Sequence, residues 1–278
     1  MGYICEEENP LEKASLALSH AKKRRKLFVQ YSENLNLIEA GEQDFNTIKL
    51  IKDAIKDGEV IPHFQLIQNK NGQKKYETLM RIEHNGQVIL PSQFLDVAKK
   101  SGDYEQLTRI MVDKSFKYFA NRKEEFSVNL SYDDISDQEM LLYLHEKIEE
   151  YGVAKRVIFE IVESENIEDF TIVKEFISDM QKLGVKIAID DFGSGYTNYS
   201  YLLQLKPDFL KIDGSIIKNI DTCEDSYIIT QSIVDFANKL GIETVAEYIH
   251  SEEIYKLTKE LNIDNFQGFF LNKPSSKV

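Results

Sequence analysis

Cysteine is scarce: the 278-residue chain holds two, Cys5 and Cys223, far apart in sequence and spaced neither as a disulfide framework nor as zinc ligands. This excludes a disulfide-stapled secreted scaffold and predicts a reducing, cytoplasmic compartment. Long apolar runs are missing, none approaching the ~18 residues of a membrane span. The opening MGYICEEENP also lacks the basic and apolar regions of a signal peptide. The expectation is a stretch of chain with no membrane segment, tethering through upstream regions being left open. Basic charge is in deficit: 34 Lys and Arg against 47 Asp and Glu give a formal net charge of −13. Such a surface disfavours non-specific binding to a nucleic-acid polymer or an anionic membrane. An acidic protein can still hold an anionic phosphate ester where carboxylates converge on divalent cations, because the metal charges then set the local field.

What is present is a globular composition, 42% hydrophobic and 29% charged with 13 Gly. The length suits about two domains, or one α/β barrel of about 250 residues plus a fragment. From Asn9-Pro10 a helix is predicted, with Leu11, Ala14, Leu18 and Ala21 on one face. KLFVQY (26–31) then reads as a strand and ENLNLIEAGEQD (33–44) as a polar linker. Residues 1–45 are thus the end of something else, and 46–278 the main domain. The run Lys22, Lys23, Arg24, Arg25, Lys26 is read as a solvated helix end that suits the macrodipole, rather than as a nucleic-acid or membrane patch.

From residue 46 helical patterns alternate with short apolar runs, as in an α/β fold. A near-repeat carries the argument. Val173, Phe176, Ile177, Met180 and Leu183 have helical spacing, Gly184 sits at a C-cap position, and VKIAID follows as a buried strand. Ile229, Ile233, Phe236, Ala237 and Leu240 repeat the stripe before Gly241 and IETVAE. Each unit sets a carboxylate, Asp190 or Glu247, six residues past its glycine. Six further runs, 61–67, 75–82, 126–130, 156–162, 208–213 and 268–271, bring the strands to eight. Each carries a polar residue in or beside it: Gln65, Glu77, Asn129, Glu160, Asp190, Lys211, Glu247, and Gln267 at the edge of the last. Such residues cost energy in apolar strands unless paired or coordinated. A TIM-like (β/α)8 barrel with a short N-terminal helix and strand extension gathers them at one mouth.

Glu77, Glu160, Asp190, Asp191 and Glu247 are hard oxygen donors and Asn129 adds a neutral one, a set suited to Mg²⁺ or Mn²⁺ rather than zinc. Five carboxylates against one Lys211 balance if two divalent cations are added. Adjacent Asp190 and Asp191 suit bridging, and two close cations that jointly activate a water point to phosphodiester hydrolysis. Lys211 is expected to orient the water or stabilise phosphoryl charge and Arg81 to pair with phosphate, with a plain salt bridge the alternative for either. Asp191-Phe-Gly-Ser-Gly-Tyr196 reads as a tight or mobile loop over the mouth. Glu163 either tethers that loop or is an ordinary surface glutamate.

These motifs resemble the EAL-domain family of bacterial cyclic di-GMP phosphodiesterases over about residues 46 to 274. Glu77-Thr-Leu-Met-Arg81 looks like the naming motif, with Thr78 for the middle Ala; SVNLS (127–131), FEIVE (159–163), DDFGSGY (190–196), LKID (210–213), AE (246–247) and QGFF (267–270) follow in the family's order. The resemblance implies metal-dependent hydrolysis of cyclic di-GMP to linear pGpG. It implies metal ligation by Glu77, Asn129, Glu160, Asp190, Asp191 and Glu247, water contact by Lys211, site support by Gln267, loop control by Glu163, and substrate contacts from Gln65 and Arg81. Two departures stand out. His250 replaces a usual rim glutamate, and Thr78 should be tolerated because strand neighbours point to opposite faces. The first 40 residues resemble the last helix and strand of a GGDEF domain, implying a longer protein with an upstream GGDEF-like or sensory part. The family also implies a homodimer through elements near the Asp190–Tyr196 loop. The rival reading is a non-catalytic cyclic di-GMP receptor on the same barrel, and a third is a metal barrel acting on another phosphate ester.

Overall fold

The computed structural model describes residues 2–3, 13–14, 17–18, 21, 29–30, 33–162, 170–193 and 199–278. The chain divides into two units, Met1–Asp57 with Pro91–Tyr104, and Gly58–Leu90 with Glu105–Val278.

In the first unit Gly2–Tyr3 pairs in parallel with Val29–Gln30, the latter inside the strand expected at 26–31. The basic run 22–26 lies outside the described residues. Residues 33–44, expected as a linker, are instead the opening turns of a helix, Glu33–Asp57. Their Leu, Glu, Ala and Gln are good helix formers, and one interior glycine lowers stability without stopping a helix of this length. None of the helices in the described residues is long and apolar enough to cross a membrane.

The second unit is a closed barrel. Its strands are β1 (Val60–Asn69), β2 (Lys74–His84), β3 (Gln87–Ile89), β4 (Glu125–Leu130), β5 (Val157–Val162), β6 (Lys186–Phe192), β7 (Phe209–Ile212), β8 (Glu243–Ala246) and β9 (Asn265–Gln267). Eight of them form the ring β1-β9-β8-β7-β6-β5-β4-β2, sealed by β1 against β2, while β3 extends β2 outside it. Strand β1 runs antiparallel to both neighbours; the other ring pairings are parallel. Apolar periodicity is the same in either direction, so the reversal leaves no mark in the sequence. The last strand lies at Asn265–Gln267, not at the apolar 268–271. Phe269 and Phe270 are exposed, whereas the polar strand residues are buried.

Helices cover the outside of the ring and share one core with it. In the helix Phe170–Leu183 the residues Val173, Phe176, Ile177 and Met180 are buried, as the spacing predicts, and Leu183 is exposed. In Glu224–Leu240 the buried face is Thr230, Ile233, Val234 and Ala237, one step around from the expected stripe, so Ile229 and Leu240 face outward. Gly184 and Gly241 sit just past these helices with φ of 92° and 73°, the left-handed conformation that glycine adopts without a Cβ penalty. Phe119 stacks on Phe126 at 4.4 Å between ring centroids, joining the helix Tyr104–Phe119 to β4.

Strand alternation fills the barrel interior in layers. The floor is polar. Lys75 lies 3.4 Å from both Glu125 and Glu243 and 3.9 Å above the Phe209 ring, and Lys186 reaches Glu125 at 2.5 Å. The middle is apolar, a buried cluster of Ile67, Ile158, Ala188, Phe209 and Val245. One pleat further toward the strands' C-terminal ends come the acids.

Candidate active site at the barrel mouth

Lys211, on β7 and 1% exposed, is the centre of this upper layer. Its Nζ lies 2.7 Å from Glu160 on β5, 2.9 Å from Asp190 on β6, 2.9 Å from Glu247 after β8, and 3.5 Å from Glu77 on β2. Four carboxylates thus share one ammonium. Two amides order the fourth: Asn129 Nδ2 donates to Glu77 Oε1 at 3.1 Å, and Gln267 Nε2 to Glu77 Oε2 at 2.6 Å. Gln267 Nε2 also donates to Gln65 Oε1 at 3.2 Å. Register explains the gathering, since Gln65 pairs with Glu77 and Asn129 with Glu160 across adjacent strands. Thr78 points the other way, as expected, donating to the Ser127 carbonyl at 2.6 Å.

Asp191 follows Asp190 with φ 54°, and its N–H donates to Asp190 Oδ1 at 2.9 Å. Tyr248 follows Glu247 with φ 56°, so the near-repeat extends into a left-handed residue after each acid. For non-glycine residues this conformation is uncommon and concentrates at functional sites. Carboxylate oxygens of Asp190, Asp191 and Glu247 all lie within 4.8 Å of one another, close enough to hold a cation together.

The electrostatics show the same surplus of acid. Burial pushes the Glu160 carboxyl up to about 8, with Glu77 and Asp190 adding to burial and Lys211 opposing it. Burial, then the charges of Asp190 and Asp213, push Asp191 up to about 6. Burial also holds Glu247 well above the ordinary carboxylate range. Glu77 ends below that range: burial raises it, but Lys211 and the Gln267 and Asn129 amides outweigh burial. Burial opposes the charge on Lys211, yet Asp190, Glu160, Glu247 and Glu77 keep it protonated. One lysine cannot neutralise five acids, and a divalent cation would relieve the crowding that raises Glu160, Asp191 and Glu247. The hard oxygen donors therefore fit Mg²⁺ or Mn²⁺ chemistry.

Above the acids opens a cavity of about 330 Å³, lined by Gln65, Glu77, Glu247 and Gln267 together with Asp213, Tyr248, His250 and Phe269. Asp213, the last residue of the LKID run, caps the short helix Gly214–Ile217 by accepting from Ser215 N–H at 2.9 Å, and its carboxylate bears on Asp191. No spacing in the sequence marks Tyr248 or Phe269; their signal is structural, an exposure of 60% and 62% beside a polar site. His250 is exposed on the rim against Tyr248. Arg81 is buried near Glu77, with Nη1 donating to the Met80 carbonyl at 2.7 Å and no carboxylate partner among the described residues. Glu163 and residues 194–196 of the glycine loop lie outside the described residues.

Gly268 is where the Gln267 segment crosses the one that follows Glu247. Ile249 N–H donates to Gln267 O and Phe270 N–H to Ile249 O, both at 3.0 Å, and a Cβ on Gly268 would overlap the Ile249 backbone. Gly268→Ala is expected to cost roughly 1–3 kcal/mol in urea unfolding. Unchanged stability would mean that the crossing has room for a side chain.

Fold and site together define a TIM-like barrel whose mouth concentrates acids that could hold a cation, beneath a ligand-sized cleft. The chain belongs to the EAL domain family, whose pattern matches residues 49–274. It is 33% identical over 233 residues to the cyclic di-GMP phosphodiesterase PdeA of Borreliella burgdorferi, covering 81% of this chain and 35% of that protein. Against the cyclic di-GMP phosphodiesterase PdeB of Shewanella oneidensis the identity is 30% over 234 residues, 81% of this chain and 27% of that one. The chain therefore spans about a third of these relatives' length. Among solved structures, the PaMucR phosphodiesterase in a c-di-GMP complex superposes with a TM-score of 0.78 at 26% identity, covering 83% of this chain and 97% of that one. The Xanthomonas citri FimX EAL domain in complex with c-diGMP gives 0.79 at 23% identity, over 85% and 96%, a likeness of fold.

Proposed function

We propose that this chain hydrolyses cyclic di-GMP to linear pGpG, with two divalent cations, Mg²⁺ or Mn²⁺, held by Glu77, Asn129, Glu160, Asp190, Asp191 and Glu247. The observation that carries the reading is the single buried ammonium of Lys211 facing four carboxylates, with Asp191 a fifth beside them, a set short of positive charge by the amount two such ions bring. Relatives named as cyclic di-GMP phosphodiesterases over the same stretch support the substrate. When bound, the cations supply a water of lowered pKa and a polarised phosphoryl oxygen. The protein's own groups do the rest. Asn129 and Gln267 hold the Glu77 carboxylate in one orientation. Lys211 keeps its proton at Nζ and offers it as a hydrogen bond to the reacting water or the charged phosphoryl oxygen. Gln65, on the cavity wall, and Arg81 contact the nucleotide, and Glu163 governs the loop after Asp191. Water oxygen bonds to phosphorus as one ester P–O bond breaks, which opens the ring, and the proton the water gives up ends on the released ribose oxygen. Within this reading the barrel follows a GGDEF-like segment and pairs with a second copy.

The test is direct. Protein treated with EDTA is expected to leave cyclic di-GMP intact, and added Mg²⁺ or Mn²⁺ to yield pGpG on chromatography. Tight binding with no product under saturating metal would make the chain a receptor instead. Cleavage of linear dinucleotides alone would make it a phosphodiesterase for another ester.

A further inference from the structure

The C-terminal segment Asn272–Val278 crosses the barrel rim over the strand that carries Gln65. Strand β1 pairs with β9 only from Ile67 to Asn69. Nearer the mouth Phe64 and Ser275 exchange both backbone hydrogen bonds, Phe64 N–H to Ser275 O at 2.7 Å and Ser275 N–H to Phe64 O at 3.0 Å. Three residues before Ser275, the Asn272 carbonyl accepts from Gln65 Nε2 at 3.4 Å. The far end is tied as well: Val278 N–H donates to Tyr118 Oη at 3.1 Å, and the Tyr118 ring stacks on Phe64 at 4.2 Å. Ser275 and Val278 lie beyond the 49–274 stretch that defines the family.

Gln65 is the outer link of a relay into the acid layer. Gln267 Nε2 spends one hydrogen on Gln65 Oε1 and the other on Glu77 Oε2. Turning that amide over would set its oxygen against the Glu77 carboxylate, so its orientation is fixed. The relay therefore runs from the Asn272 carbonyl through Gln65 and Gln267 to Glu77. Without the strap, the outer edge of β1 between Val60 and Leu66 would have no ladder partner on the β9 side, and an unpaired edge frays.

We propose that the C-terminal strap is a positioning element of the site: by fixing Gln65, and through it Gln267, it sets the Glu77 carboxylate. The proposal rests on the phosphodiesterase reading. A strap that only staples the fold would lower stability and leave the Glu77 geometry independent of it. The two roles separate in a double-mutant cycle on the full chain, with deletion of residues 274–278, Gln65→Ala, and both together, read in kcat, KM and thermal midpoint.

A positioning strap predicts that each single variant loses about ten- to a hundredfold in kcat, and that the double variant is no slower than the worse single one. Full activity in the deletion, or losses that multiply, would overturn it. Should the deletion fail to fold, Ser275→Pro takes its place, since proline removes the N–H donated to the Phe64 carbonyl and, besides that, only the exposed hydroxyl that accepts from Lys277 N–H. If the wild type binds without turnover, the phosphodiesterase reading fails by itself. The same cycle is then read in cyclic di-GMP affinity: non-additive losses support the strap, and absent or multiplied ones overturn it. A chain that neither binds nor cleaves removes both.

Discussion

Asp190→Ala is expected to lower cyclic di-GMP turnover by about a thousandfold, equivalent to ~4 kcal/mol of barrier. One side chain does three things in this site. It faces Lys211 at 2.9 Å, accepts the Asp191 N–H at 2.9 Å, and stands within 4.8 Å of the Asp191 and Glu247 oxygens. Its loss removes a donor whose charge water cannot replace, and frees Asp191, whose left-handed backbone the neighbouring carboxylate helps to hold. Manganese affinity, followed by titration, should fall with the rate. A variant within about tenfold of wild type in kcat would take Asp190 out of the reacting assembly.

Lys211→Met has the second-largest expected effect, and stability moves with activity. Methionine fills similar volume, so what is lost is charge rather than packing. Four carboxylates would then face each other around an apolar sulfur. Removing one partner of a buried ion cluster costs about 3–5 kcal/mol, and urea unfolding in EDTA should show a loss of that order. Saturating Mg²⁺ should recover part of it, because a bound cation supplies the missing charge and stabilises the state that binds it. In kinetics kcat should fall far more than KM rises, since the ammonium acts at the reacting centre. A change confined to KM would assign Lys211 to ground-state binding.

Most of the acid layer is legible in the sequence because each member interrupts an apolar run, and such an interruption needs a partner. Seven strands fall within a few residues of their predicted places for the same reason. The last strand lies elsewhere because its residues look like loop: Asn265 is held by Glu243 at 3.1 Å and Asp264 by Thr244 at 3.0 Å, contacts that exist only once the ring is closed. The helix over 33–44 is hidden because a polar stretch with good helix formers reads as a linker when apolar periodicity is the guide. Asp213, Tyr248 and Phe269 escape for another reason. Their place on the cavity wall comes from loops, and loop geometry is not written in spacing.

The lysine floor has a consequence for traffic. Lys75 and Lys186, neutralised by Glu125 and Glu243 and laid over Phe209, fill the bottom of the barrel, and among the described residues the buried side chains packed above them separate that floor from the acids. Substrate, product and ions must therefore all use the same doorway at the top. Whatever sits across that doorway controls both arrival and departure, so an occupant of the rim would slow release as much as entry.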